Sequence, residues 1–272
     1  MGVLRAGMIA VPLPLLWRQA EIAAALNRVG AKAIVTCSRI GTYAHAEVAR
    51  LSAVELFSIR HVCGFGHGLP DGIVPLDDIF APGGNEVGGV PTRVGSAAAH
   101  VAAITFSLDA SRFVPIARSH LELVAGGMEI FLETGAATDT PLLSTIPIAS
   151  FAGIAVTVLP WLLRGGALHL HHNFDPDAFA AQCRTIPDAA LQAGLLAHGV
   201  NPLLLGAFLS LQGPLIVVAE HPVADLVEAL GAAGAFPIVE TKWADAPAAF
   251  LTSSQSLVRR RTKRRHACFA SK

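Results

Sequence analysis

The sequence predicts an α/β protein, with layered, parallel-rich sheets flanked by helices. Helical and strand-like segments alternate along the chain, which is typical of this class. Hydrophobic residues make up 53% of the chain and charged residues 15%, so much of the chain must be buried. Several apolar runs are continuous, as in parallel strands that are covered on both faces. The length of 272 residues allows one or two domains.

The first predicted elements are a helix at 20–30 and a strand at 31–37. The helix has apolar residues at a helical spacing, and Gly30 provides a C-terminal stop. A second helix is predicted over 43–52 and a strand over 57–62. This order of helix and strand is the repeating unit of an α/β sheet.

Residues 64–96 are rich in glycine and proline and predict a connection between two parts of the fold. A buried strand is predicted over 99–107. A helix follows over 119–135, where Ser119 and Glu122 have the spacing of a capping box.

The next segments continue the alternation. A strand ends in a turn at Pro147, and an apolar helix after it ends at Gly165-Gly166. A strand is predicted over 167–172. The following helix has Asp175 as its N-cap and Pro176 at its first position, both favoured there.

Charged residues are distributed unevenly along the chain. Residues 257–272 contain seven of the 20 Lys and Arg residues and no acidic residue, although the formal net charge of the chain is zero. A basic block without interleaved aromatic residues is typical of a solvated, disordered terminus, and a nucleic-acid or targeting patch is the alternative. The abrupt change of composition also suggests truncation or out-of-frame sequence.

These features predict three regions. Residues 1–95 form an N-terminal α/β segment, residues 96–250 a core segment, and residues 251–272 a basic, disordered tail. We expect no specific nucleic-acid partner.

No segment reaches the roughly 20 apolar residues that a membrane-spanning helix needs. The run at 151–163 ends at Arg164, and the run at 203–219 is interrupted by polar residues and a Gly-Pro pair. We expect no membrane span and no signal peptide. The cysteines form no CxxC pair, which favours a reducing cytoplasm over a disulfide or zinc framework; they are Cys37, Cys63, Cys183 and Cys268.

Two blocks carry a resemblance to a known family. Residues 2–36 include "LRAGMIAVPLPLLW" and "GAKAIVT", and residues 142–179 include "PIASFAG", a glycine turn and "FDPDAF". In this order the blocks resemble the adenylate-forming enzymes, the superfamily of acyl-CoA synthetases, peptide-synthetase adenylation domains and luciferases. The resemblance implies part of that family's large domain. It also implies ATP, Mg²⁺ and CoA as cofactors, and a small carboxylic acid or acyl chain as substrate.

The segment "ITFSLDASRFVPIARSH" at 104–120 occupies the place of the family's phosphate loop, "YTSGTTGxPKG". Phe106 and Ser107 fit its first two positions, but its glycines and lysine are missing. Asp109 would repel a triphosphate, whereas Arg112 could restore positive charge. The residues that the resemblance suggests for phosphate binding are Ser107, Ser111, Arg112 and Arg118.

Other family positions also differ. In "PIASFAG", Pro147 and Gly153 match, but Ser150 stands where a His or aromatic residue shapes the acyl pocket. The counterpart of the family's "YGxTE" is "FPIVETKWAD" at 236–245, in which Glu240 is the available carboxylate. No equivalent of the small C-terminal domain with its catalytic lysine is found. Catalytic residues therefore remain unassigned, and impaired activity of this chain alone is expected.

Other side chains suggest alternative functions. His169, His171 and His172 could bind a metal, but no carboxylate or cysteine partner is fixed near them, so we assign no metal site. Ser119, His120 and Asp139 could form a hydrolase triad, but no GxSxG motif supports one. A non-catalytic binding or assembly protein that retains the fold, with a partner chain or as a homo-oligomer, is the main alternative. A nucleic-acid binder with a basic tail is another.

Overall fold

The structure is a computed structural model. It describes residues 2–80, 92–109, 112–134, 138–171, 175–186, 190–194, 215–219, 238–241 and 248–252. The chain divides into two compact units, Met1–Ser119 and His120–Lys272. The three-region division expected from the sequence stays a prediction.

The first unit contains three helices and five strands in its described part. The helices are α1 (Gly2–Arg5), α2 (Gln19–Val29) and α3 (His45–Val54); the strands are β1 (Ala33–Cys37), β2 (His61–Phe65), β3 (Val74–Pro75), β4 (Val101–Asp109) and β5 (Arg112–Ser119). Short 3₁₀ turns cover Asp77–Phe80 and Ala97–Ala99.

Helix α2 has hydrogen-bonded groups at both ends. The Glu21 carboxylate accepts a hydrogen bond from the Arg18 backbone N–H at 2.9 Å, which satisfies a donor at the helix start. At the other end Gly30 is left-handed, with φ of 61°, and its N–H bonds back to the last turn. The predicted C-terminal stop at Gly30 is therefore confirmed.

Strands β1, β2 and β3 form a parallel sheet in that order. Ile34 of β1 packs with Leu26 of α2, Ala49 of α3 and Leu56 in a buried apolar cluster. Because β1, α3 and β2 form a strand-helix-strand unit with parallel strands, the prediction of an α/β arrangement here is confirmed.

Strands β4 and β5 form an antiparallel hairpin in which Asp109 lies opposite Arg112. The strand predicted at 99–107 is confirmed as β4. The sequence indicated a phosphate loop in place of strand β5, because 104–120 occupies the position of that loop in the family that it resembles. Pro115 is accommodated because this strand pairs on one side within a two-stranded sheet.

The second unit contains four helices and six strands in its described part. The helices are α4 (His120–Thr134), α5 (Phe151–Gly153), α6 (Leu159–Arg164) and α7 (Pro176–Thr185); the strands are β6 (Leu142–Ser144), β7 (Leu168–Leu170), β8 (Ala190–Gly194), β9 (Leu215–Ala219), β10 (Ile238–Thr241) and β11 (Ala248–Thr252). The predicted helices at 119–135 and after Asp175 are confirmed.

The sheet of the second unit has the order β10-β11-β9-β8-β6-β7. Strands β7, β6, β8 and β9 are mutually parallel, and β11 pairs antiparallel to both β9 and β10. Leu142 and Leu143 of β6 are fully buried, as is Phe179 of α7. A parallel sheet with an antiparallel edge is common in α/β folds.

Helix α4 packs against the helical segment that runs from α5 to α6. Gly127 permits this contact, because a Cβ there would overlap the side chain of Leu159. Five residues between α5 and α6, Ile154–Val158, form a π-helical turn. None of the described helices combines the length and the apolar composition needed to cross a bilayer.

Candidate functional site

The hairpin of β4 and β5 is the first candidate site, because it contains the predicted phosphate-binding positions. Ser107 lies opposite Val114, two pairs before the turn, and Arg112 begins β5 directly across from Asp109. Ser111 lies outside the described residues.

Arg118 lies at the other end of β5, opposite Ala103. It lies six residue steps along the strand from Arg112, which corresponds to about 20 Å. Arg118 is 6% exposed. The register therefore brings Ser107 and Arg112 to the turn end of the hairpin and places Arg118 in the interior at the opposite end.

An aromatic cluster supports the hairpin from one side. The Trp17 ring lies 4.7 Å from the ring of Phe113 and 5.6 Å from that of Phe106, measured between centroids, and both contacts are tilted. Tilted pairs at these distances are favourable. Trp17 contacts Phe113, which follows Arg112 in sequence. The fluorescence of Trp17 can therefore report changes at the turn.

The carboxyl end of β6 is the second candidate site. The four parallel strands direct their carboxyl ends to one edge of the sheet, where ligands bind in open α/β folds. Ser144 ends β6, and its carbonyl oxygen accepts a hydrogen bond from the His171 backbone N–H at 2.8 Å. The loop 145–150 leaves the sheet at this edge and carries the predicted "PIAS" residues.

Ser150 caps the helix after this loop. Its hydroxyl oxygen accepts from the Gly153 N–H at 2.9 Å, and its O–H donates to the Pro147 carbonyl at 2.9 Å. A Cβ at Gly153 would lie 2.7 Å from the Pro147 carbonyl carbon. The glycine that matches the family motif is therefore required by close contact with the loop.

His171 fastens β7 to the start of α7. The Asp175 backbone N–H donates to His171 Nε2 at 3.1 Å, so this nitrogen bears a lone pair and Nδ1 carries the proton toward Gln182 Oε1 at 3.2 Å. The ring also contacts Phe179 edge-on. Both ring nitrogens are thus used within the protein. His169 lies in β7, whereas His172 lies outside the described residues.

In the part of the chain that the structure describes, no group of three His, Cys, Asp or Glu side chains could hold a metal ion. Glu240 was the available carboxylate of the "YGxTE" counterpart. It lies within β10, opposite Phe250 of β11.

A third candidate is a cleft of about 470 Å³ in the first unit, at the carboxyl ends of β1 and β2. No sequence motif predicts this cleft, although the glycines after β2 indicate a close approach of backbone. Gly66 has φ of 97°, and a Cβ there would lie 2.6 Å from Ser38 Oγ. The cleft is lined by Ser38, Arg39, Ala44, Ala46, Glu47, Gly66, His67, Gly68 and Pro70.

The charges of this cleft are largely engaged with neighbours. Arg39 donates to the Thr42 carbonyl at 3.1 Å, and Glu47 forms an ion pair with Arg50 at 2.5 Å. The hydrogen bond from Arg50 lowers the pKa of the Glu47 carboxyl. The cleft could take a small polar group, but no described side chain in it is arranged for chemistry.

No protein-family model matches the sequence, and no curated protein matches it. Solved structures do match. An acyl-CoA synthetase from Brucella canis superposes with a TM-score of 0.59 at 15% identity, over 80% of this chain and 43% of its own. An amide bond synthetase from Marinactinospora thermotolerans gives 0.61 at 19% identity, over 91% and 47%.

An anthranilate CoA ligase in complex with anthranoyl-AMP gives a TM-score of 0.60 at 12% identity, over 80% of this chain and 46% of its own. These matches confirm the resemblance at the level of the fold. The chain has the α/β fold of the adenylate-forming ligases and spans about half the length of the solved structures that it matches.

Proposed function

We propose that this chain contributes to AMP-dependent activation of a carboxylic acid, as acyl-CoA synthetases do. In that reaction a carboxylate oxygen attacks the α-phosphorus of ATP, the bond to the β-phosphate oxygen breaks, and pyrophosphate leaves. The thiolate of CoA then attacks the acyl carbon and AMP leaves. The observation that carries the proposal is the structural match over 80–91% of the chain to acid-activating ligases.

The proposed ATP contact is the turn of the β4–β5 hairpin. Ser107, Ser111 and Arg112 are the phosphate ligands that we assign there, since hydroxyls and guanidinium groups bind phosphate oxygens. Arg118 lies about 20 Å along the strand and would act only through its charge. Mg²⁺ would come with ATP, held by phosphate oxygens and water, which is its usual mode of binding.

The short connection between β4 and β5 also favours impaired catalysis. Only residues 110–111 connect β4 to β5, and neither is a glycine that would let the backbone approach phosphate closely. The carboxylate of Asp109, next to this turn in sequence, would repel a triphosphate. We therefore expect weak ATP binding and slow or no adenylate formation by this chain alone.

The alternative is a non-catalytic binding or assembly protein that keeps the fold. The missing glycines and lysine of the phosphate loop favour it, because close approach of backbone to phosphate depends on glycine. The two functions differ in whether the turn binds ATP.

Titration of the chain with Mg-ATP tests the proposal. Calorimetry measures the binding, and so does the fluorescence of Trp17 in a variant with Trp161→Phe and Trp243→Phe. We expect Arg112→Ala to weaken binding by about 10-fold to 100-fold, the range for a charged hydrogen bond. Asp109→Asn should tighten binding because it removes a repulsive charge. Arg28→Ala, an exposed arginine on α2, is the matched control and should change nothing.

A folded chain that binds no Mg-ATP at millimolar concentration would contradict the proposal and favour the non-catalytic alternative. Equal binding by Arg112→Ala and wild type would instead refute the assigned site. If ATP binds, acid-dependent exchange of labelled pyrophosphate into ATP measures adenylate formation directly.

A further inference from the structure

The parallel sheet of the first unit carries two cysteines on one face. Ile34 of β1 packs in the buried cluster with α2 and α3, and side chains alternate along a strand, so Cys37 lies on the opposite face of the sheet. In β2, Val62 packs against the same cluster, so Cys63 also lies on the opposite face. The strand register agrees, because Val35 of β1 lies directly opposite Cys63.

The two cysteines are diagonal neighbours in this sheet. Cys37 lies opposite Phe65, two residues beyond Cys63 in β2. The spacing of strands and the rise per residue then separate the two Cα atoms by about 8 Å. A disulfide needs Cα atoms closer than about 7 Å, so the two sulfurs cannot bond directly unless the strands move. Both cysteines are free thiols.

A single bridging atom fits this separation. A metal–sulfur bond is about 2.3 Å long, so one ion joins two sulfurs about 4.6 Å apart. Rotation about the Cα–Cβ bonds brings two side chains at diagonal positions on one face to this separation. The sheet supplies the pair on a fixed backbone, because each cysteine lies in a paired strand.

The surroundings of the two thiols are apolar and open to solvent. Cys63 lies between Val35 of β1 and Val74 of β3, directly opposite each. Val35 is 54% exposed and Val74 52% exposed, while both cysteines are half-buried. An ion can therefore enter from solvent. Thiolates in apolar surroundings favour a soft metal ion, whereas Mg²⁺ and Ca²⁺ prefer oxygen ligands.

The number of ligands distinguishes between soft metal ions. Within the described part of the chain, no third His, Cys, Asp or Glu joins the two cysteines in a metal-binding group. Zinc sites in proteins use at least three protein ligands. Cu(I) prefers thiolates and is stable with two of them. The pair therefore fits Cu(I) better than zinc.

We propose that Cys37 and Cys63 bind one Cu(I) ion between β1 and β2. On binding, the two thiols release their protons to solvent, two sulfur–copper bonds form, and no electron is transferred. This site is independent of the acid activation proposed above. The sequence alone does not indicate it, because only the pairing of β1 with β2 brings the two cysteines together.

Anaerobic titration of the full chain with Cu(I), in competition with bicinchoninate, tests the proposal. We expect one tightly bound ion per chain. Cys37→Ser and Cys63→Ser should each weaken binding by more than about 100-fold, because losing a ligand costs more than losing its supporting contact. Cys183→Ala and Cys268→Ser, which change the other two cysteines, are matched controls and should leave the affinity unchanged. Circular dichroism checks that each variant is folded.

X-ray absorption at the copper edge tests the ligands in the unaltered chain, so it does not depend on the folding of a variant. We expect two sulfur neighbours and no nitrogen or oxygen neighbour. Loss of all copper to bicinchoninate by the folded chain would overturn the proposal. Equal affinity of Cys37→Ser and wild type would also overturn it, as would loss of binding in Cys268→Ser or a copper shell of nitrogen and oxygen.

Discussion

Replacing Gly153 by alanine tests the close contact between the loop 145–150 and the helix that follows it. The new Cβ would lie 2.7 Å from the Pro147 carbonyl carbon and 2.9 Å from Ile148 Cα, and it would overlap the Pro147 oxygen as well. Real Cβ atoms essentially never approach so closely, and backbone atoms cannot rotate away as the end of a side chain can. The loop must therefore move away from the helix.

Two effects of opposite sign determine how much Gly153→Ala changes the free energy of unfolding. Gly153 has helical angles, φ of −59° and ψ of −40°, so alanine should stabilise the helix itself by about 1 kcal/mol. Overpacking against backbone costs typically 1–3 kcal/mol, and we take about 3 because several atoms overlap. Gly153→Ala should then lower the free energy of unfolding by about 2 kcal/mol.

Urea denaturation followed by circular dichroism measures this loss. With a slope of about 2–3 kcal/mol per molar urea, the midpoint should fall by about 0.7–1 M. Gly2→Ala is the matched control, since a Cβ there meets nothing within 4 Å. A Gly153→Ala variant as stable as wild type would refute the close contact of loop and helix.

Three further predictions concern the aromatic cluster, the cap of α7 and the buried thiol. Trp17→Leu and Phe113→Leu, combined in a double-mutant cycle of unfolding free energies, should show a coupling of about 0.5–1.5 kcal/mol, and no coupling would argue against ring contact. Asp175→Ala should cost about 1 kcal/mol of stability because the carboxylate accepts from Ala178 N–H, while Asp175→Asn should cost less; equal losses would count against capping. Burial raises the pKa of the Cys183 thiol, so the thiol ionises more readily in the unfolded state than in the folded state. The free energy of unfolding should therefore be unaffected by this group below pH about 8.5 and should fall as pH rises above it. Iodoacetamide labelling read by mass spectrometry should modify half-buried Cys37 before Cys183, and the reverse order would contradict the burial.

Local sequence rules predicted most helices and several strands correctly. Gly30 ends α2, Asp175 caps α7 and Gly165 follows the last residue of α6, because caps and stops depend on the backbone preferences of single residues. Strand β5 is recognised only by its pairing with β4, because an internal proline weakens the local signal for a strand.

The candidate phosphate site was likewise predictable from the sequence only in part. The sequence alone could show which phosphate-loop residues are missing between 104 and 120, since that requires only a comparison of residue types. It could not show that Asp109 lies opposite Arg112 or that Arg118 lies at the far end of the hairpin, because strand register is set by pairing between distant residues.

Composition and periodicity therefore determined the α/β class and the order of most elements, and the motif blocks at 2–36 and 142–179 carried the resemblance to adenylate-forming enzymes. Only the tertiary structure decided the placement of Cys37 and Cys63 on one face of their sheet, the close contact at Gly153 and the antiparallel position of β11 beside β9. The physical reason is that propensities and caps act over a few neighbouring residues, whereas these contacts join residues that folding alone brings together.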